Sequence, residues 1–344
     1  MTKQRTIDVH AHVLTEDMMQ RLRKEAPDIG PTLSEVDEHG ATLKIADIVQ
    51  RPYPRGGWDM DVRLRDMDAY GIDVQVLSPL PQTFLYEQDG ARTAALCMIQ
   101  NEAISALVSA RSDRFLGLAG LPLQAPKRAA DELRRSMQEL GLRGALIGSH
   151  LEGRNLDDPE LEPLWATAEE LGALILIHPQ KVAAGERLGG YYFKNLIGNP
   201  LETTIAAASL VFGGVLERYP DLKVCLSHGG GYTPYQLGRF VHGWNVRPEG
   251  KKHLKTSPEA SIRRLYFDTI LHFDPALKWL VETYGAGHVM LGSDYPFDMG
   301  MFDCVKAVRE LAVSQGDRDT ILGRGVDAMF REQKVPARSA ARSA

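Results

Sequence analysis

Cysteine is scarce in this chain: three residues in 344, at Cys97, Cys225 and Cys304, far apart and with no CxxC spacing. That excludes a disulfide scaffold and thiolate metal ligation, and it fits a reducing compartment, with the cytoplasm as the default. An excess of either charge is also missing. Forty Lys and Arg stand against forty-five Asp and Glu, a formal charge of −5, which leaves no basic footprint for nucleic acid or for an anionic membrane. Long apolar runs are absent too. Nothing approaches the roughly 18 residues of a membrane span, and the N-terminus MTKQRTIDVHAH does not have the charged-then-apolar order of a secretory signal. There is no GxGxxG after a strand and no P-loop, so no nucleotide or other organic cofactor is implied. What is there is the composition of an ordinary soluble globular protein, 44% hydrophobic and 25% charged, with enough chain to bury a large core.

Eight short apolar runs recur along the chain: TIDVHAH (6–12), DVQVLSP (73–79), FLGLAGLP (115–122), GALIGSH (144–150), ALILIHP (173–179), KVCLSHG (223–229), YFDT (266–269) and VMLGSDYP (289–296). Runs such as ALILI are too short for helices and apolar at successive positions, the pattern of parallel strands covered on both faces. Between them the spacing predicts amphipathic helices over Val62–Tyr70, Ala91–Ala110, Lys127–Leu140, Asp158–Leu171, Leu201–Arg218, Tyr235–Trp244, Pro275–Tyr284 and Cys304–Val313. Eight alternations predict an α/β fold, a (β/α)8 TIM barrel with an insertion after strand 1, ahead of a doubly wound sheet. A single domain is expected over residues 1–330. Within it, residues 13–60, with GPTLSEVDEHG and RPYPRGGW, read as an insertion over the barrel mouth. Residues 331–344, ending in VPARSAARSA, read as a flexible tail.

The ten histidines are informative by position. His10 and His12 alternate on an extended segment and so share a face, with Ala11 opposite. His178 follows ALILI, His228 follows KVCLS and Asp294 follows VMLGS. In a barrel such strand ends converge on one mouth, where active sites are built. Four histidines and a carboxylate would meet there, a set suited to a divalent transition metal. Three histidines and an aspartate suffice for one Zn²⁺, which leaves one residue over to act as acid or base. A bound cation can bring a water pKa down to about 7. The fourth strand, GALIGSH, offers no lysine or glutamate to bridge two ions, which favours a single-metal site. His150 at its end reads as a substrate contact or a structural histidine.

Taken in order, HxH in the first strand, HP after the fifth, HGGG after the sixth and GSDYPF after the eighth resemble the amidohydrolase superfamily. RPYPRGGWDMDVRLRDMDAYGIDVQV, NLDDPELEPLW and LERYPDLKVCLSHGGG narrow the resemblance. They point to the branch that holds 2-amino-3-carboxymuconate-6-semialdehyde decarboxylase and related metal-dependent non-oxidative decarboxylases, over about residues 6–330. By that resemblance His10, His12, His178 and Asp294 bind one Zn²⁺, with Mn²⁺ as the other metal, and His228 is the general acid/base. Arg51 in QRP and Arg239 in LGR fall on arginines that clamp substrate carboxylates, a role a guanidinium fills through two parallel hydrogen bonds. The family supplies the second arginine across a dimer interface, which implies a homodimer with Arg239 shared. The chain departs from the family at Gln180, where the aminocarboxymuconate enzymes carry tryptophan, and at Tyr191, Tyr192 and Phe193. The expected activity is non-oxidative decarboxylation of a small carboxylated aromatic or ring-opened dienoic acid. A zinc hydrolase of a lactone, ester or amide is the rival within enzymes, and a non-catalytic metal-binding protein the rival outside them.

Overall fold

A computed structural model describes residues 4–333. In chain order, β1 (Ile7–Val13) leads into a helix, Glu16–Glu25, and then into a small antiparallel sheet of β2 (Thr32–Ser34), β3 (Gly40–Ile45) and β4 (Ile48–Pro54). Parallel strands follow: β5 (Val74–Pro79), β6 (Phe115–Gly117), β7 (Ala119–Gly120), β8 (Gly144–Gly148), β9 (Leu174–His178), β10 (Lys223–Leu226), β11 (Tyr266–Asp268) and β12 (Val289–Met290). Every residue of β1, β5, β8 and β9 is buried, as expected of parallel strands covered on both faces; the run is wholly apolar in β8 and in β9 up to His178, while β1 and β5 also bury polar side chains.

The parallel strands form two runs, β1-β5-β6 and β12-β11-β10-β9-β8-β7. The runs join where one barrel strand is interrupted at Leu118: Leu118 N–H donates to Leu77 O (2.8 Å) and Arg143 N–H to Gly117 O (2.8 Å). The ring closes where the segment after β12 meets β1, through Val9 N–H to Leu291 O (2.8 Å), Asp294 N–H to His10 O (2.8 Å) and His12 N–H to Tyr295 O (2.7 Å). The fold is a (β/α)8 barrel. Its closing seam is also the line on which His10, His12 and Asp294 sit.

Two of the helices begin where an aspartate takes up orphan N–H groups. Asp59 accepts from Asp61 N (3.1 Å) and Val62 N (3.1 Å), and Asp89 from Ala91 N (2.9 Å) and Arg92 N (3.0 Å), as N-caps do. The helix expected over Leu201–Arg218 is two, Asn199–Phe212 and Val215–Arg218, because the Gly213-Gly214 pair breaks it. The helix expected to Val313 ends at Glu310.

Inside the insertion, the sheet's β4 puts Ile48 and Gln50 on the wall of a cavity at the barrel mouth. At the other end the helix Gly325–Glu332 runs across the expected boundary at 330, and residues 334–344 of the expected tail lie outside the described residues. No helix among the described residues is long and apolar enough to cross a membrane.

Candidate metal centre

His10, His12, His178 and Asp294 are all buried, and one ligand atom from each lies within 4.8 Å of the others. His10 Nε2 is 3.1 Å from His12 Nε2 and 3.3 Å from Asp294 Oδ1. Asp294 Oδ1 is in turn 3.2 Å from His12 Nε2 and 3.9 Å from His178 Nε2. A tetrahedral ion with bonds of about 2.1 Å holds its ligands about 3.4 Å apart, so these edges fit one cation.

The tautomers agree with that fit. His10 Nδ1 lies 2.8 Å from Asp268 Oδ2, His12 Nδ1 3.0 Å from Pro79 O and His178 Nδ1 2.9 Å from Pro179 O. Each acceptor calls for hydrogen on Nδ1, which turns the three Nε2 lone pairs toward one another. Lone pairs facing each other at 3.1 Å repel unless positive charge lies between them. His178 Nε2 is buried with no hydrogen-bond partner among the described residues, an orphan of the kind a ligand explains. The donor set of imidazole and carboxylate matches a divalent metal, and a divalent metal is what this site is built to hold.

Burial works to strip His10 of its proton, yet the charges of Asp294 and Asp268 overcome it and hold His10 up at about 10. Burial keeps His12 down and holds His178 at about 3. Burial would raise Asp294, but the surrounding histidines, His10 foremost, hold it well below the usual carboxylate range.

His228 stands beside this group rather than in it. Its Nε2 is 3.4 Å from Asp294 Oδ2, and its Nδ1 has no hydrogen-bond partner among the described residues. Both His228 (φ 54°) and Asp294 (φ 58°) have left-handed backbones, which cost side-chain-bearing residues energy and cluster at functional sites. The three glycines after His228 also have positive φ, and a Cβ on them would strike Leu271, Phe267 and Pro200 O. Here HGGG lets the turn pack against neighbouring chain.

Sequence reasoning missed the residues that hold this group in place. Asp268, at the end of β11, is fully buried. Besides His10 it accepts from the backbone N–H of His228 (2.9 Å), Gly229 (2.7 Å) and Ile270 (3.1 Å). A carboxylate closing an apolar strand was the available signal. Asp8, on β1, accepts from His10 N (3.1 Å), Gln75 Nε2 (3.0 Å), Ser293 N (3.0 Å) and Ser293 Oγ (2.6 Å), pinning the metal-site seam from both sides. Arg63, fully buried, donates to Gly56 O, Gln75 Oε1 and His12 O and lies over the Tyr295 ring.

The arginines expected at the substrate do not reach the cavity within one chain. Arg51 lies on β4 with its side chain 70% exposed, 3.3 Å from Glu35. Arg239 is exposed on the helix Leu237–Val246, none of whose residues is buried. His150 is engaged structurally, accepting at Nδ1 from Gly153 N (3.1 Å) with Nε2 3.3 Å from Lys181 O. His178, His228, Asp294 and Gln180 line a cavity of about 270 Å³.

A family profile described as amidohydrolase matches residues 7–324. The chain is 37% identical over 324 residues to 2-amino-3-carboxymuconate-6-semialdehyde decarboxylase of Dictyostelium discoideum, covering 92% of this chain and 89% of that one. Among solved structures, 5-carboxyvanillate decarboxylase from Sphingomonas paucimobilis superposes with a TM-score of 0.82 at 26% identity, over 96% of this chain and 99% of that one. A dihydroxybenzoic acid decarboxylase from a Polaromonas species, with bound manganese and the inhibitor 2-nitroresorcinol, shares the fold at a TM-score of 0.78 and 23% identity, over 95% of this chain and 97% of that one.

Proposed function

Because the chain belongs to the amidohydrolase family, we propose that it is a metal-dependent non-oxidative decarboxylase of a small carboxylated aromatic or ring-opened dienoic acid. The observation that carries this reading is the convergence of three Nδ1-anchored imidazoles and Asp294 beside a separate histidine, His228, under one cavity. The similar proteins named above, whose names describe decarboxylases acting on carboxylated aromatic or muconate-type acids, support it.

His10, His12, His178 and Asp294 would hold the ion. Three imidazoles and a carboxylate favour Zn²⁺, and the manganese in the Polaromonas structure makes Mn²⁺ the other candidate. When bound, such a cation acts as a Lewis acid toward a substrate oxygen. His228 delivers a proton to the carbon that bears the carboxylate. The bond from that carbon to the carboxylate then breaks, its electron pair stays with the conjugated framework, and CO2 leaves. The product carries hydrogen where the carboxylate was. A proton held at His228, beside Asp294, is the part of this step that the chain itself supplies.

Arg51 and Arg239 are the proposed carboxylate clamps, and a homodimer is the proposed assembly. The exposed helix carrying Arg239 supports a role toward a second copy. Mixing Arg239→Ala with His228→Ala protein is expected to restore part of the activity that each lacks alone, because one mixed site then has both groups. Absence of rescue after subunit exchange has been verified would remove Arg239 from the partner's site. Free, buried Cys97, Cys225 and Cys304 support a cytoplasmic, reducing setting.

Released CO2 together with oxygen-18 uptake from water tests the reaction class. Decarboxylation is expected to yield one CO2 per turnover and no solvent oxygen in the organic product. Solvent oxygen in the product without gas would make the protein a hydrolase, and metal binding without turnover over a panel of carboxylated aromatics would make it a binding protein.

A further inference from the structure

The walls of the cavity above His178, His228 and Asp294 carry an unusual share of neutral carboxamides: Gln50, Gln82, Gln180, Asn195 and Asn199. Gln50 has both ends of its amide engaged, donating to Pro52 O (3.0 Å) and accepting from Gln82 Nε2 (3.3 Å), whereas Gln180 is anchored at one end only. Its Nε2 donates to His150 O at 2.8 Å and its backbone N–H to Ser149 Oγ at 3.3 Å. The amide therefore cannot flip without losing that bond, and the oxygen is the end left over. Gln180 Oε1 takes no hydrogen bond from any described residue and is not sealed off as a buried orphan. The space the side chain occupies exists because residue 148, closing β8, is glycine: a Cβ there would come within 2.6 Å of Gln180 Nε2. Anchored amide, available oxygen and vacated space together make a fixed hydrogen-bond acceptor two residues beyond His178.

Charge on the same walls points the same way. Lys181, the lysine lining the cavity, is held between Glu87 (3.0 Å) and Glu152 (2.6 Å). Asp298 adds negative charge to the lining. Apart from the metal site and the proposed clamps Arg51 and Arg239, a second carboxylate on these walls would meet Asp298 and a lysine already paired with Glu87 and Glu152. A hydroxyl or amino group would meet an acceptor.

We propose that Gln180 is a specificity-determining residue, whose carboxamide oxygen selects carboxylic acids bearing a neutral hydrogen-bond donor, a hydroxyl or amino group, over those with an ether or a second carboxylate there. This rests on the decarboxylase reading for the identity of the leaving carboxylate, but not for the binding preference. A site that hydrogen-bonds a substituent rejects the analogue lacking it, because its polar group is then left unpaired.

The test pairs 2,3-, 2,4- and 2,6-dihydroxybenzoate with the monomethyl ether of each. Binding to metal-loaded protein is measured by calorimetry, and CO2 release by kcat/KM. Wild-type protein is expected to favour at least one hydroxy acid over its ether by about tenfold or more. Gln180→Leu and Gln180→Met are each expected to bring that ratio close to one, mainly by weakening the hydroxy acid, with metal content and melting temperature unchanged. A preference that survives in a folded, metal-replete Gln180→Leu or Gln180→Met protein overturns the proposal, as does a wild-type protein with no preference in any pair. Should wild-type bind with the expected preference yet release no CO2, the decarboxylase reading fails while the role of Gln180 stands.

Discussion

His228→Ala protein is expected to keep a full complement of its divalent metal while losing about 10²–10⁴-fold in kcat, the usual contribution of a positioned acid/base group. The two halves of that expectation come from different distances. His228 Nε2 approaches only the outer oxygen of Asp294, Oδ2, at 3.4 Å. The inner oxygen, Oδ1, is the one shared with His10, His12 and His178. Deleting the His228 imidazole leaves the four converging atoms untouched and removes the proton carrier. His178→Ala is the contrast. It removes one of the three converging imidazoles, the one whose Nε2 is a buried orphan, so metal and turnover should be lost together. Metal analysis by atomic absorption and CO2 release, run on both variants, separates the roles. A His178→Ala protein with full metal occupancy would remove His178 from the ligand set, and a His228→Ala protein with unimpaired turnover would remove His228 from the chemistry.

The barrel was legible because parallel strands buried on both faces leave an uninterrupted apolar signature, and ALILI and GALIG carry it. The convergence of His10, His12, His178 and Asp294 was legible for a topological reason: strand ends in a barrel share a mouth. What could not be read is whatever depends on distance across the fold. Asp268 acts through His10, 258 positions away, and nothing near YFDT announces that partner. The buried Arg63 looks like a surface residue in a charged helix, since only tertiary structure brings it His12 O and Gln75. The insertion resisted for another reason. Its three strands are short and alternate weakly, with β4 largely exposed, so they carry little hydrophobic periodicity. For Arg51 the QRP segment is legible as a motif, while the place of its side chain, exposed and 3.3 Å from Glu35 within one chain, is set by the tertiary position of β4.

Asp268→Asn, nearly identical in shape, is expected to weaken metal affinity by about 10–100-fold, the range seen when the outer partner of a metal-binding histidine is lost. The argument is one of donors and acceptors. Asp268 Oδ2 receives His10 Nδ1 and His228 N, while Oδ1 receives Gly229 N and Ile270 N. A carboxylate can accept all four, whereas a carboxamide must turn an NH2 toward one pair. If the NH2 faces Gly229 and Ile270, two buried backbone donors lose their acceptor, at about 1–3 kcal/mol for each group left unsatisfied. If it faces His10, the ring loses the acceptor that keeps hydrogen on Nδ1, and with it the lone pair aimed at the ion. The same turn would release the backbone of His228, so one substitution should disturb both the ligand and the proton carrier. Metal titration against a competing chelator reads the first effect, and kcat at saturating metal reads the second. The pattern expected is weaker metal binding with a kcat that excess metal restores only in part. Full recovery of kcat by added metal would confine Asp268 to His10, and wild-type metal affinity in a folded Asp268→Asn protein would remove it from the site altogether.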